Sequence, residues 1–411
     1  MNNIPTHWQV KKLGEVFTIE RGGSPRPIEE YITNNENGIN WIKIGDTKNV
    51  VKYIFQTKEK IKPEGVKRSR MVYVDDFILS NSMSFGKPFI MKTTGCIHDG
   101  WLVIRKNDTI DNNYLYYILS SSLIYQQFSN LAKGSTVKNL NIEAVKQVII
   151  KYPPLAEQLA IVYKIEELLS DLENGKQQLI IAQQQLKVYR QSLLKAAFEG
   201  KLTNEKVVES ELPKHWKMST IGDVFEVFIG STPKRNKPNY WGGNINWLSS
   251  GEIAFCNIKN TREKITTEGL ENTSCKVHPI GTVIIAMIGE GKTRGQAAIL
   301  KVESSHNQNT AAIRVDNKTY KSELLYYYLV LKYEDNRRVG SGNNQKALNK
   351  ERVKSIPIPI PPIKEQQLIV DELESKLTVC DKIEETIKEA LLKSENLRQS
   401  ILKKAFEGKL V

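Results

Sequence analysis

The sequence predicts an α+β protein built twice. Two mixed α/β units are each followed by one long helix, and the two helices are joined antiparallel in a coiled coil, giving a pseudo-two-fold internal repeat. Three observations predict it. The decapeptide LLKAAFEGKL at 193–202 returns as ILKKAFEGKL at 401–410, an offset of 208. The opening HWQVKKLGEVFTIERGGSP at 7–25 returns at the same offset as HWKMSTIGDVFEVFIGSTP at 215–233. Apolar residues then recur every seven positions after each Pro-Pro pair, at 153–154 and 361–362.

The first unit spans 1–152 and reads as mixed. MVYVDDFILS at 71–80 has strand character and NNYLYYILSSSLIYQQFSNLA at 112–132 has helical periodicity. The segment 153–202 follows as a helix, since Pro153-Pro154 can stand only outside a helix or in its first turn. Ile165, Leu172, Leu179, Leu186 and Leu193 form a heptad stripe, with Leu168, Ala182, Tyr189 and Ala196 three positions later as its second half. Asn174-Gly175 is a candidate bend, and Glu199-Gly200 supplies the stop, glycine being free to take the left-handed conformation.

The second unit, 203–360, repeats the first with slipped register. Trp41 meets Trp247 at an offset of 206, and LYYIL at 115–119 meets LYYYL at 325–329 at 210. GTVIIAMI at 281–288 reads as strand and SELLYYYLVLKYEDNR at 322–337 as helix. The last segment, 361–411, is the second helix, with Leu373, Cys380, Ile387 and Ile401 in the stripe and Ile383, Ala390 and Leu397 beside it. The blocks 153–202 and 361–410 align without a gap and share 20 identical residues, so the helical segments are equal in length while the units have diverged. At about 1.5 Å per residue, roughly 45 residues make a rod of about 65 Å. No other segment is long enough to bury such a stripe, so the two helices are expected to bury each other.

Charge points to a polyanion. The net +13 lies wholly in the units: 1–152 and 203–360 carry +7 each, while 153–202 and 361–411 carry 0 and −1. Cations segregated in this way favour nucleic acid through Coulomb attraction and counterion release. With no long apolar run and no leader-like start, the chain is expected to be cytoplasmic with no membrane partner. The four cysteines have no short paired spacing, so neither zinc nor a disulfide framework is expected.

Catalytic motifs are thin. A cofactor-binding amino-methyltransferase needs an N-P-P-[YF] tetrapeptide and a glycine-rich turn; KPNYW at 237–241 lacks the Pro-Pro pair. AMIGEGKT at 286–293 imitates a phosphate loop, but RGQAAILKV follows as strand, where a phosphate loop opens a helix. Asp75-Asp76 reads as a solvated turn, and His7 and His215 as parts of packed domain entrances. No catalytic residues, metal site or cofactor are expected.

Loops rich in Gly, Ser, Asn and basic residues are the candidate DNA contacts, because Arg and Lys serve guanine edges or phosphates and Asn or Gln serve adenine. In the first unit these are Arg21, Ser24 and Arg26, then Lys87, then Lys133, Ser135, Thr136 and Lys138. In the second they are Thr232, Lys234, Arg235 and Lys237, then Lys292 and Arg294, then Asn343, Asn344, Gln345 and Lys346.

A pair of units opening with W…LG[ED]VF and a GG(S/T)P-like turn, each closed by LN…V…PP…EQ and a helix ending FEGKL, resembles the specificity subunit of type I restriction-modification systems along the full chain. The resemblance implies that each unit is a target recognition domain reading one half of a split, asymmetric sequence in double-stranded DNA. It implies that the helices act as a ruler and dock two modification (methyltransferase) subunits, which methylate adenine N6 with S-adenosylmethionine. Cleavage falls to further ATP-dependent restriction subunits, and this chain is non-catalytic. The competing readings are a coiled-coil scaffold carrying two small ligand-binding domains, and a one-chain methyltransferase. If the ruler expectation is right, one heptad inserted in each helix changes the tolerated gap between half-sites and preserves the half-site sequences. A binding assay showing unchanged spacing contradicts it.

Overall fold

The computed structural model describes residues 5–81, 85–132, 139–204, 212–289, 291–338 and 348–411. The candidates Lys133, Ser135, Thr136, Lys138, Asn343, Asn344, Gln345 and Lys346 lie outside them. The chain divides into two compact units, Met1–Ile180 with Lys388–Val411, and Ile181–Ile387, so each contains part of both long helices.

In the first unit a five-stranded sheet runs in the order Ile19–Arg21, Trp101–Ile104, Phe77–Ser80, Pro88–Met91, Tyr53–Ile54. A second sheet runs Ile32–Thr33, Glu59–Ile61, Ile39–Ile42, Gly95–Ile97, Arg70–Val72. The central strands of the first sheet are buried throughout, and apolar but for Ser80, because both their faces are covered. Phe77, Leu79, Ile90, Leu102 and Ile104 point into a core with the helices. Their neighbours Ile78, Phe89, Met91, Trp101 and Val103 point into another core with Ile42, Val72 and Ile97 of the second sheet. Alternation along a strand sorts one sequence into two cores.

The stretch 112–132 is two helices, Asn112–Leu119 and Ser122–Leu131, where the sequence suggested one. Asp111 caps the first by accepting from Asn113 N and Tyr114 N. Ser121 caps the second by accepting from Ile124 N, and a serine engaged in this way competes with continuous helix.

The second unit repeats this plan with Glu226–Ile229, Thr310–Arg314, Val283–Ala286, Ala297–Leu300 and Cys256–Ile258 as its main sheet. The smaller sheet has three strands, Glu263–Ile265, Trp241–Leu248 and Ser305–His306. Each unit is closed by an antiparallel ribbon: Gln9–Lys12 with Ile149–Tyr152, and Lys217–Thr220 with Pro357–Ile360.

The long helices are Leu155–Phe198, unbroken through Asn174-Gly175, and Ile363–Phe406. Within the first unit, Ile161, Val162 and Ile165 from the start of one helix share a core with Leu402, Ala405 and Phe406 from the end of the other. Within the second unit, Leu193, Leu194, Ala197 and Phe198 share a core with Ile369, Val370 and Leu373. Start meets end both times, so the helices are antiparallel. The predicted stripe is partly or fully buried, but its partner stripe is corrected: Tyr189, Ile383 and Leu397 are exposed. The partner stripe lies three residues before or four after a stripe position, at Val162, Leu169, Lys176, Gln183, Arg190 and Ala197. The second helix matches it with Val370, Leu377, Glu384, Leu391, Arg398 and Ala405.

The repeated motifs do the same work twice. Glu157 in the first turn of the first helix accepts from Trp8 Nε1 at 2.9 Å and faces His7 Nε2 at 2.7 Å. Glu365 faces His215 Nε2 at 2.7 Å and accepts from Thr203 and Asn204. Partial burial would raise the Glu365 carboxyl, but the donors Thr203, His215 and Asn204 hold it below its ordinary value. Each FEGKL ends its helix with a left-handed glycine, Gly200 at φ 76° and Gly408 at φ 68°. Lys201 N and Lys409 N bond back to Ala196 O and Lys404 O, five residues earlier, closing the end of the helix. A Cβ on Gly408 would stand 2.5 Å from Pro5 Cδ, and one on Gly200 would stand 2.3 Å from Pro213 Cγ. The decapeptide recurs because each copy is the seat of a proline beside an HW opening: the first copy serves the second unit, and the second copy serves the first.

Candidate nucleic-acid interface

The basic loop after Arg21 is held by backbone contacts that tolerate only glycine. Gly22 N donates to Trp101 O at 2.9 Å and Gly23 N to Ile97 O at 3.1 Å. A Cβ on Gly22 would stand 2.2 Å from His98 O. The loop is thereby fixed against the turn His98-Asp99-Gly100 between two strands. A third loop joins them, since Asn81 N donates to Gly100 O and Leu140 N to Asn81 O.

Asp99 is the hub of this cluster. Its Oδ1 accepts from Ser24 Oγ at 2.8 Å, and its backbone oxygen accepts from Asn81 Nδ2 at 3.0 Å and Arg21 Nε at 3.4 Å. Burial opposes its charge, but the Ser24 hydrogen bond, His98 and Arg26 together hold the carboxyl below its ordinary value. Arg21, Ser24 and Arg26 are therefore brought together. The Arg26 guanidinium is 3.8 Å from Asp99 Oδ2, and its side chain is 81% exposed. Lys87 is exposed at the base of the adjoining hairpin, where Ser80 N donates to Lys87 O and Lys87 N to Ser80 Oγ.

The second unit rebuilds the backbone bonds of this framework. Gly230 N donates to Thr310 O and Ser231 N to His306 O, and a Cβ on Gly230 would stand 2.1 Å from His306 O. Met287 N donates to Asn309 O and Leu348 N to Met287 O. The Ser24–Asp99 bond becomes a Thr232–Gln308 bond. Lys234 and Lys237 have exposed side chains. Arg235 pairs with Glu263 and lies over the Trp241 and Trp247 rings, 3.9 and 5.1 Å from their centres, which holds it to its own unit.

The phosphate-loop imitation resolves into a hairpin turn. Strands Val283–Ala286 and Ala297–Leu300 pair antiparallel on either side of it, so the described residues of 286–293 open no helix. Lys292 is exposed, with its carbonyl bound by Tyr333 Oη at 2.5 Å. Arg294 is largely buried and donates to Arg337 O at 2.8 Å. Among the described residues no group of three or more His, Cys, Asp or Glu could hold a metal ion. No helix among them is long and apolar enough to cross a membrane.

Reading the sequence alone overlooks Asn81, His98, Asp99 and Gln308. The available signal was positional: IHDGW at 97–101 and HNQNT at 306–310 are short polar turns between strands in corresponding parts of the two units.

A model of the type I restriction modification DNA specificity domain matches residues 5–182 and again 213–393. The chain is similar to the StySPI specificity subunit of Salmonella potsdam, 24% identical over 425 residues covering 99% of this chain and 90% of that one. It is also similar to the EcoKI specificity subunit of Escherichia coli K12, 25% identical over 428 residues with the same coverage of both. Among solved structures, a chain from an assembled type I R-M system shares the fold at TM-score 0.79 and 21% identity, covering 99% of this chain and 100% of that one. The HsdS subunit of Thermoanaerobacter tengcongensis shares it at 0.66 and 20%, covering 99% and 98%. Matched twice by the family model and over nearly its whole length by these relatives, the chain belongs to the specificity subunits of type I restriction-modification systems.

Proposed function

We propose that the chain reads a split, asymmetric duplex DNA target, one half-site for each recognition domain, 1–152 and 203–360, with 153–202 and 361–411 as helical regions that dock two modification subunits. Adenine N6 methylation, and cleavage by ATP-dependent restriction subunits, belong to those cytoplasmic partners; this chain is a non-catalytic recognition subunit without a cofactor of its own. One observation carries the reading: two units share a loop framework at the level of single backbone hydrogen bonds, yet mount different side chains on it, Ser24, Arg26 and Asp99 against Thr232, Lys234 and Gln308. A conserved mount with exchanged polar tips is what reading two different half-sites requires.

The test is duplex binding by the chain assembled with its modification subunit, measured across salt concentrations. Sequence-dependent, salt-sensitive binding is expected, and indifference to DNA favours the scaffold alternative. Arg26→Ala separates two modes of contact. If Arg26 reads a base, discrimination falls by about 1–3 kcal/mol at one position of one half-site. If it meets phosphate, binding weakens evenly across sequences and the salt slope drops by about 1. Loss of neither removes loop 21–27 from the interface. S-adenosylmethionine binding by the isolated chain would contradict the division of labour.

A further inference from the structure

At the hub of the two frameworks a charge is exchanged for a neutral group, Asp99 against Gln308, alongside other charge differences such as Arg21 against Ile229. Asp99 and His98 form a ridge that lines two clefts of the first unit, about 830 and 560 Å³. One cleft also holds Ser24 and Arg26, the other Arg21 and Asn81. His98 Nδ1 accepts from Gly100 N at 2.8 Å, which places the proton of the neutral ring on Nε2, 3.0 Å from Asp99 Oδ1. With Ser24 bound to the same oxygen, Oδ1 is committed within the unit. Oδ2 faces Arg26 at 3.8 Å, close enough to cancel charge and too far to clamp the guanidinium.

We infer that Asp99 is a positioning residue for DNA recognition: it keeps Arg26 poised at the cleft and neutralised until a base edge or phosphate replaces the carboxylate. In the second unit the uncharged Gln308 leaves Lys234 without such a counter-charge. Arg26 then transfers to DNA only where the new partner outcompetes Asp99, which converts a general phosphate binder into a selective one. This rests on the DNA-reading function proposed above.

The experiment uses the full chain with its modification subunit and compares wild type with Asp99→Asn, which keeps an acceptor oxygen for Ser24 and loses the charge. Affinity for DNA without the target should rise about threefold to tenfold at low salt, with the slope of log K against log salt steeper by about 0.9, one added phosphate contact. Discrimination at the first half-site should fall about tenfold, the scale of one lost directed contact, and discrimination at the second should stay unchanged. The double variant D99N/R26Q should match R26Q alone. Gln308→Glu supplies the mirror experiment, with a shallower slope and an untouched first half-site. A wild-type slope and wild-type discrimination in Asp99→Asn, or an effect that persists without Arg26, overturns the inference. Wild-type protein that shows no sequence preference overturns the underlying function instead.

Discussion

Gln158→Leu is expected to destabilise the first unit by roughly 3 kcal/mol and to leave the second folded, because it strands one buried backbone group at about 1–3 kcal/mol and two partly buried ones at less, before the gain from burying leucine. Gln158 is fully buried, and its amide is used completely. Its Oε1 accepts from Asp111 N at 2.8 Å, and its Nε2 donates to Pro153 O at 2.9 Å and Thr109 O at 3.1 Å. One side chain thus ties the first turn of the long helix to the loop that starts Asn112–Leu119. Leucine fits the space and satisfies none of these groups. With domains stable by only about 5–15 kcal/mol, such a loss is a large fraction of the whole. Gln366 makes the mirror-image set with Lys321 N, Thr319 O and Pro361 O, so Gln366→Leu should weaken the second unit alone. Hydrogen exchange reads both at once: Trp101–Ile104 loses protection in the first variant and Thr310–Arg314 in the second. Equal loss in both strands from one substitution would show that the locks are not separate.

These glutamines mark where the sequence was legible. The EQ pair after Pro-Pro repeats at a fixed offset because its geometry admits no slippage: Glu meets the HW opening while Gln closes the loop. Capping glycines and the every-seventh stripe were readable for the same reason. The partner stripe was not. Two sets of residues flank the stripe, and the more apolar one, with Leu168 and Tyr189, is the natural choice on hydrophobicity. The structure uses the other, and two of its polar members, Arg190 and Glu384, pair with each other. Arg190 Nη2 reaches Asp381 Oδ1 at 2.7 Å and Glu384 Oε2 at 3.1 Å across the helix pair. A polar group in such a seam specifies register at some expense of stability, and periodicity alone cannot signal it. The candidate interface was half legible. Glycine-rich basic loops announced Arg21 and Arg26, but the residue that organises them, Asp99, sits 73 positions beyond Arg26 in a turn of ordinary composition. Only the strand pairing brings the two turns together.

Acidification from about pH 7.5 to about pH 5 should destabilise the second unit by about 4 kcal/mol, about 2 for each of two buried histidines. Arg314 Nε donates to His278 Nδ1 at 3.1 Å, so His278 carries its proton on Nε2 and donates it to His306 Nε2 at 3.2 Å. His306 Nδ1 then donates to Thr310 Oγ1 at 2.7 Å, and Thr310 donates to Asn307 O at 2.9 Å. Every link has one donor and one acceptor, and both rings are neutral. A proton added to either ring sets two N–H groups against each other. Burial, then His306, Arg314 and Lys276, lowers His278 to about 3; burial lowers His306 to about 4, against weaker support from Asn307 and Thr310. Both folded values lie below the unfolded value near 6.5, so the unfolded chain binds more protons between pH 6.5 and about 4. Stability is therefore full above pH 6.5 and is lost as pH falls toward 4. Stopping near pH 5 stays above the range where most carboxylates titrate. The chain of bonds ends on the turn that carries Gln308, so its failure should also loosen Thr232. Urea unfolding with hydrogen exchange over Thr310–Arg314 measures the loss, and His306→Gln, which can both accept and donate, should remove about half of the pH dependence. Equal stability at the two pH values would mean that the folded unit accommodates the protons, and that these bonds do not hold the turn.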